Sequence, residues 1–421
     1  MNKPTVFILW DSSFIWGLLA LRALRLMKVN CCLVRGKDIA QGALAGKPFT
    51  NNLLLVPGGN ARQKLSSLQD GGKKAVLEWV DNGGNYLGFC GGAGLALADN
   101  LGICPLSREP FSSRLSHLLS GHVKASSPHG ELSLPVWWPG RFAWKEGNQP
   151  EILAKYLKPE KDLFIADIPY EILPEKMERL ATGEKIWPDG QLFPANQPLI
   201  IRGKSGKGTY ILSYAHLETP GSGAANKWLA DILQKFNPAP LSELPDWAIW
   251  KHREIPAAAP ASSFHAAMNR ANASLRDFHS LGEKLDFFFP RTGWLFGWRP
   301  GFPGMGINNL GACLDALSRL PPASPIPAGW QTESESFRTL LNQFITKGSE
   351  CLWQIKFHNI LSRFPPVTEN GKSDNSNISA IFGNPMPGGG IVERLTRICE
   401  IWLFELQEWL FREDSIHDSH P

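Results

Sequence analysis

The sequence has few of the features that define the simpler classes of protein. Its seven cysteines are odd in number and scattered without a C-x-x-C pair, so neither a disulfide framework nor a zinc knuckle is indicated. A net charge of only +4, with no basic run of about five residues, argues against nucleic-acid binding. No uncharged apolar window reaches about 18 residues, so we expect no membrane-spanning helix. A cytoplasmic protein with reduced thiols is the resulting expectation.

What the chain does contain is ample apolar and aromatic material. Its 421 residues are 43% hydrophobic and 19% charged, which excludes a disordered chain. At about 150 residues per domain, this length predicts two or three domains. Tryptophan and phenylalanine number 16 and 23 against 5 tyrosines. This surplus suits large cores, sugar stacking or a membrane-facing surface, and composition alone does not choose among them.

Short apolar runs alternate with helical patterns at the start of the chain. Such alternation is typical of a parallel sheet that is buried on both faces. The predicted strands are Thr5–Trp10, Asn30–Val34, Asn52–Val56 and Tyr86–Phe89, and the predicted helices are Ser13–Met27, Lys73–Val80 and a small-residue segment from Cys90 to Ala98.

The pattern changes twice further along the chain. Residues 109–196 are less regular and predict antiparallel strands and loops, after which the strand Thr209–Ser213 and a helix over Ala225–Phe236 follow. Residues 238–262 are rich in proline and alanine, which is typical of an extended linker. Beyond the linker, apolar residues recur at helical spacing, and the cluster Trp298–Gly306 is predicted to be a loop.

The strongest chemical signal is the segment Gly88-Phe89-Cys90-Gly91-Gly92, where an apolar strand meets a small-residue helix. A G-x-nucleophile-x-G elbow forces its central residue into a tight turn and exposes it at the carboxyl edge of the sheet. The adjacent helix N-terminus favours the thiolate. An inert buried cysteine in a glycine-rich turn is the alternative interpretation.

Two further motifs follow predicted strands. His216 and Glu218 come just after the strand Thr209–Ser213, where an imidazole could accept the thiol proton and a carboxylate could orient it. Pro57-Gly58-Gly59 follows the third strand, and its N–H groups, with that of Gly91, could bind an oxyanion. Taken singly, each of these motifs is more often structural.

Together the motifs resemble the class I glutamine amidotransferase superfamily, and most closely its biotin–protein ligase N-terminal domain family, over residues 4–236. Asp11 after the first strand and Gly206-Lys207-Gly208 before His216 belong to the same pattern. The resemblance implies that Cys90 is the nucleophile, His216 the general base and Glu218 its orienting acid. It also implies an oxyanion hole at Gly59 and Gly91.

The resemblance further implies the fold and the domain organisation. We expect a flavodoxin-like, class I glutamine amidotransferase-like α/β domain over residues 1–237, with a parallel sheet and helices on both faces. Residues 238–262 are the expected linker, and residues 263–421 are expected to form a mainly helical domain that resembles no known family.

Two departures from the family pattern narrow the expected activity. Glutamine-hydrolysing members carry a His-Gln pair three and four residues after the cysteine, where this chain has Ala93 and Gly94. A biotin–protein ligase also needs an adenylate-binding loop, and Trp298-Arg299-Pro300-Gly301 is not that loop. The chain is therefore not expected to be a biotin ligase itself. The intracellular protease and chaperone branch is a lesser resemblance, because its histidine directly follows the nucleophile, where Gly91 stands.

Several other residues are weaker candidates. Asp11 and Gly58 could line the substrate pocket, although capping of the following helix is the simpler role for Asp11. Trp137 and Trp138 could wall that pocket or belong to the core. The histidines His117, His122 and His129 fit no standard metal spacing, so we expect neither a metal nor a cofactor.

The sequence leaves two classes of function open. One is a cysteine-triad hydrolase or amidotransferase-like enzyme that acts on a small-molecule amide or acyl substrate through a thioester. The other is a non-catalytic ligand-binding or scaffold protein whose helical half binds a protein partner or a second copy. No nucleic-acid partner is expected in either case.

Overall fold

The chain divides into two compact units, Met1–Pro245 and Asp246–Pro421. The structure, a computed structural model, describes residues 5–45, 52–109, 117–128, 130–144, 149–173, 193–237, 239–250, 262–300, 302–361, 375–383 and 389–412. Within these residues, no helix combines the length and the apolar character that crossing a bilayer requires.

The first unit is an α/β structure built around one large mixed sheet. Its helices are α1 (Phe14–Leu26), α2 (Gly36–Ala40), α3 (Ala61–Asp81), α4 (Gly91–Ala96) and α5 (Gly223–Leu233). Its strands are β1 (Thr5–Leu9), β2 (Cys31–Val34), β3 (Asn52–Val56), β4 (Asn85–Phe89), β5 (Ser107–Arg108), β6 (Leu119–Ser127), β7 (Gly130–Trp137), β8 (Phe142–Ala143), β9 (Glu151–Pro159), β10 (Phe164–Ile165), β11 (Ile168–Pro169), β12 (Pro198–Ser205) and β13 (Gly208–Ser213).

One half of the large sheet is parallel and places several strand ends at one edge. The parallel strands lie in the order β13-β4-β3-β1-β2, and β12, β9, β6, β10 and β11 continue the sheet in antiparallel fashion. Residues of β3 are buried along its whole length, as expected for a strand covered on both faces. The α/β class is therefore confirmed, although the sheet is mixed because the region after Glu109 adds antiparallel strands to it.

Helix α3 is longer than the predicted Lys73–Val80. It begins after Asn60, whose Oδ1 accepts hydrogen bonds from the N–H groups of Arg62 (3.0 Å) and Gln63 (3.2 Å). Gln69 interrupts the helix with a positive φ of 51°. The kink lies just before Gly71 and Gly72, and two adjacent glycines indicate a helix break in the sequence, so only the second half of the helix was predicted.

The second unit is mainly helical, as predicted. Its helices are α6 (Ser263–Lys284), α7 (Gly304–Ser318), α8 (Trp330–Leu361), α9 (Asn375–Phe382) and α10 (Gly390–Glu405), and a small hairpin joins β14 (Phe288–Pro290) to β15 (Phe296–Trp298).

The prediction of a loop over Trp298–Gly306 is wrong at both ends, because Trp298 is the last residue of β15 and Gly304 already begins α7. Residues Ile307 to Leu317 of α7 are all buried. A helix that is covered on every side has no polar face, so it produces no amphipathic signal in the sequence.

A buried carboxylate organises the start of this second unit. Asp315 on α7 is fully buried and accepts hydrogen bonds from Trp247 Nε1 (2.8 Å), Arg276 (3.1 Å) and Arg319 Nε (2.6 Å). One side chain thus holds together α6, α7 and the segment that precedes them, and its charge is compensated by two guanidinium groups.

We predict that two glycines of α4 respond oppositely to replacement by alanine. A Cβ at Gly92 would lie 1.9 Å from the carbonyl oxygen of Val56, whereas a Cβ at Gly94 would lie 3.5 Å from the Ala61 Cβ, which is an ordinary contact. Gly92→Ala should therefore destabilise the fold by about 2–3 kcal/mol. Gly94→Ala should be neutral or stabilising by up to about 1 kcal/mol. Differential scanning calorimetry measures both, and an unchanged melting temperature for Gly92→Ala contradicts the packing of α4 on β3.

Candidate active site

Cys90 occupies a tight turn between β4 and α4. Its φ is 45° and its ψ is −100°, a backbone conformation that is unfavourable for a residue with a side chain. The Cys90 N–H donates a hydrogen bond to the carbonyl of Ser213 (2.7 Å), which fixes the turn against β13. A Cβ at Gly88 would lie 2.6 Å from the carbonyl oxygen of Gly92, so a glycine is needed for the turn to close. The structure thus places the thiol at the carboxyl edge of the sheet, half-buried.

His216 and Glu218 lie on the segment that leaves β13 at the same edge. Both side chains are fully buried, and His216 Nδ1 donates a hydrogen bond of 2.7 Å to Glu218 Oε1. The His216 N–H donates to the carbonyl of Pro135 (2.9 Å), which anchors the backbone beside β7. The carboxylate therefore sets the ring orientation and places the proton on Nδ1.

The environment of His216 favours its charged form. Burial lowers the pKa of His216, but the Glu218 carboxylate and the Cys90 side chain outweigh it and raise that pKa to about 9. The pair therefore stabilises the fold fully below about pH 6.5, the ordinary histidine pKa. This contribution is lost as the pH rises through about 9, because the folded state then no longer binds the extra proton.

The second imidazole nitrogen has no conventional partner. Within the described residues, His216 Nε2 and Glu218 Oε2 make no hydrogen bond of normal geometry. The Cys90 side chain is nevertheless close enough to raise the pKa of the imidazole. A buried donor of this kind is available to a group that binds at the thiol.

Trp16, which belongs to none of the sequence motifs, forms one wall around His216. The two ring centroids are 4.3 Å apart and the rings are tilted by 38°. A Cβ at Gly58 would lie 2.7 Å from His216 Cε1 and 2.9 Å from the Trp16 ring. Gly58 is therefore required to let the histidine and the indole approach. Trp16 lies in the apolar stripe of α1, so no sequence signal separates it from a core residue.

The two glycines predicted to form an oxyanion hole lie against one another. Gly59 has a φ of 108°, and a Cβ there would lie 2.1 Å from the carbonyl oxygen of Ser12. A Cβ at Gly91 would lie 2.0 Å from the Gly59 carbonyl oxygen and 3.1 Å from its nitrogen. Only glycine permits this approach of three backbone segments beside Cys90.

The two neighbouring tryptophans take different positions. Trp137 is 1% exposed, and its Nε1 donates a hydrogen bond of 3.1 Å to Thr219 Oγ1, so its ring belongs to the core. Trp138 has a positive φ of 53°, and its ring centroid lies 6.4 Å from that of Trp16. The carbonyl oxygens of Trp137 and Trp138 lie 3.8 and 3.7 Å from the Cys90 sulfur.

Asp11 does not cap α1, so that prediction is wrong. Ser13 is the N-cap residue of α1, and it makes no side-chain capping bond. Asp11 Oδ2 instead accepts a hydrogen bond of 2.5 Å from the N–H of Gly36, where α2 begins. The carboxylate compensates the unsatisfied N–H groups of a different helix, which proximity in sequence did not reveal.

A buried lysine supports the same edge of the sheet. Lys64 on α3 is fully buried, and its Nζ donates hydrogen bonds to the Asp11 carbonyl (3.1 Å) and to Ser13 Oγ. This contact fixes the turn that contains Ser12, whose carbonyl oxygen lies against Gly59. A lysine within a charged helical segment gives no sequence signal of burial, so Lys64 was missed.

The three histidines form no common site among the described residues, and His129 lies outside them. Burial and the neighbouring Arg108 lower the pKa of His117 to about 4, and its Nδ1 donates a 2.7 Å hydrogen bond to the Pro139 carbonyl. His122 bonds to Asp162 and Ser222. The described residues contain no group of three potential ligands arranged to hold a metal ion.

Comparisons with known proteins agree with the resemblance seen in the sequence. Residues 25–99 match the family "Biotin-protein ligase, N terminal", a segment that includes β2, β3, β4 and Cys90. The predicted resemblance is thus confirmed over this part of the chain. No curated protein matches the chain.

Similar solved structures include a glutamine amidotransferase. A glutamine amidotransferase crystal structure is 18% identical, covering 51% of this chain and 90% of that chain at a TM-score of 0.32. PurLQS from Thermotoga maritima is 13% identical, covering 52% and 89% at a TM-score of 0.33. Exo-beta-1,4-mannosidase Op5Man5 from Opitutaceae bacterium strain TAV5 is 14% identical, covering 57% and 36% at a TM-score of 0.32. At this distance, none of these similarities transfers an activity to this chain.

We predict that the Glu218 carboxylate controls the pKa of His216. In protein with ¹⁵N-labelled histidine, nuclear magnetic resonance should show His216 titrating near pH 9. In Glu218→Gln the pKa should fall to about 6.5 or below, because burial then acts without the compensating carboxylate. Cys90→Ala is the control that isolates the smaller contribution of the thiol. A wild-type His216 that titrates below 6.5 contradicts the charge arrangement.

Proposed function

We propose that the first unit is a glutamine amidotransferase-like enzyme in which Cys90, His216 and Glu218 form a catalytic triad. The observation that supports this most is the combination of a strained elbow at Cys90 with a buried, carboxylate-bonded imidazole whose pKa the Cys90 side chain raises. Catalytic sites typically place a nucleophile next to a base whose pKa is shifted by burial and by neighbouring charges. The reaction is acyl transfer from an amide or related acyl group through a thioester.

The chemistry assigns one role to each side chain. The Cys90 sulfur, whose proton His216 already holds, attacks the acyl carbon as a thiolate, and a carbon–sulfur bond forms while the carbonyl electron pair moves to oxygen. The backbone N–H groups of Gly59 and Gly91 stabilise that oxyanion. His216 then gives its proton to the departing amine as the carbon–nitrogen bond breaks. Water or an acceptor releases the acyl group, and Glu218 keeps the imidazole oriented throughout.

The surroundings of the thiol argue against glutamine as the substrate. Ala93 is fully buried in α4, and Gly94 packs near Ala61, so neither position offers the polar contacts of a His-Gln pair. The Trp16 indole lies against the imidazole, and the Trp138 indole lies 6.4 Å from Trp16. An amide with a less polar side chain suits these neighbours better. Biotin ligation is not part of the proposal.

A non-catalytic ligand-binding or scaffold role is the second candidate. The same absence of polar groups at Ala93 and Gly94 favours it, together with a helical second unit that could bind a protein or a second copy. A Cys90→Ala variant separates the candidates, because a scaffold keeps its cellular function without the thiol and an enzyme loses it.

We predict that Cys90 reacts selectively with electrophiles at pH 7. Cys32 is the internal control, because it is the other partly exposed cysteine and the remaining five are buried. A chloroacetamide should modify Cys90 at least about tenfold faster than Cys32, since an isolated thiol is only a few per cent ionised at this pH. Mass spectrometry of digested protein measures both rates.

His216→Ala tests the triad directly. It should slow the modification of Cys90 about tenfold or more and leave Cys32 unchanged, because only Cys90 loses the imidazole that holds its proton. Equal rates at both cysteines in the wild-type protein, or an unchanged Cys90 rate in His216→Ala, refute the proposed activation.

A further inference from the structure

The first unit contains a second set of hydrogen-bonded side chains, called the relay below, that does not include Cys90. Ser222 Oγ lies 2.8 Å from His122 Nε2, and His122 Nδ1 lies 2.7 Å from Asp162 Oδ2. The three residues come from the N-terminus of α5, from β6, and from the turn between β9 and β10. This is the connectivity of a serine nucleophile, a general base and an orienting carboxylate.

Asp162 fixes the imidazole by two contacts. Its Oδ2 accepts the hydrogen bond from His122 Nδ1, and its Oδ1 accepts one of 3.1 Å from the His122 N–H. With the proton held on Nδ1, Nε2 is the free base and accepts the hydroxyl proton of Ser222. The tautomer required for general-base catalysis is therefore the one that the carboxylate selects.

Ser222 stands at a helix N-cap but does not act as a cap. It precedes α5 and makes no side-chain bond to the helix, because its hydroxyl points to His122 instead. Ser262 provides the contrast at the N-cap of α6. Ser262 Oγ also contacts a histidine, His265, but accepts that residue's backbone N–H at 3.3 Å as an ordinary cap does. The other imidazole nitrogen of His265 lies near the Pro321 carbonyl and the Ser324 hydroxyl rather than a carboxylate.

The two glycines that flank Ser222 face open space. Ser222 itself is 5% exposed, whereas Gly221 and Gly223 are exposed, and a Cβ built on either glycine would meet no atom within 4 Å. The serine therefore lies on a segment whose neighbouring positions are open to solvent. The first N–H groups of the eleven-residue helix α5 lie at the same point, where they can stabilise an oxyanion.

We propose that Ser222, His122 and Asp162 form a second acyl-transfer site that hydrolyses carboxylic esters. Ser222 Oγ attacks the ester carbonyl carbon while its proton passes to His122 Nε2, and the carbonyl electron pair moves to oxygen. The alkoxide leaves with the proton from His122, and an acyl-serine remains. Water then cleaves this ester by the reverse proton path. Asp162 acts through His122 and is a positioning residue.

A fluorophosphonate probe tests the proposal on the full-length protein, because it phosphonylates activated serines and releases fluoride. The expected result is a single modified serine, Ser222, identified by mass spectrometry, with Ser262 unmodified. His122→Gln, which can keep the hydrogen bonds but not accept a proton, should lower the rate at least about a hundredfold. Cys90→Ala should leave the rate unchanged, so this result stands or falls independently of the cysteine site.

Variants of Asp162 distinguish a role in orienting His122 from a role in stabilising the fold. Its side chain is half exposed, so Asp162→Asn should leave the melting temperature unchanged while slowing phosphonylation about tenfold or more. Asp162→Glu should restore part of the rate. The proposal is overturned if the folded wild-type protein is not modified at Ser222, if Ser262 reacts equally fast, or if His122→Gln reacts at the wild-type rate.

Discussion

The approach of backbone to backbone at the carboxyl edge of the sheet is the constraint on which the candidate site depends. Gly91 and Gly92 bring α4 against the carbonyl groups of Gly59 and Val56, at distances where no Cβ fits. Ser12 closes on Gly59 from the other side. Because three strand ends converge without intervening side chains, the turn at Cys90 lies beside backbone N–H groups and next to the segment that carries His216. The candidate site can therefore form only if these backbone segments pack this closely.

Strained backbone and buried charge occur together at this same edge. Ser12, Phe14, Cys90 and Trp138 all have positive φ values, and each lies where the chain leaves or re-enters the sheet. Such strained conformations persist only when the packing and hydrogen bonds around them hold them in place, and they occur often at functional sites. The buried ammonium of Lys64 holds the turn at Ser12 and Ser13 by hydrogen bonds, as Glu218 holds His216.

The strands and the chemistry-bearing motifs were the predictable part of the first unit. Cys90, His216 and Glu218 were predicted from residue type and from their position after apolar runs, and the structure brings all three to one edge. Asp11 was misjudged, because its partner Gly36 is distant in sequence. The relay from Ser222 was missed for the same reason, since 100 residues separate that serine from His122.

The sequence by itself determined the α/β class, the helical second unit and the elbow at Cys90, because local periodicity and glycine spacing follow from short-range backbone geometry. Only the tertiary structure decided which side chains meet. Trp16 packs on His216, and α7 is buried on every side, although neither fact leaves a local pattern. Contacts across a sheet depend on the register and order of distant strands, and long-range packing rather than residue type selects these partners.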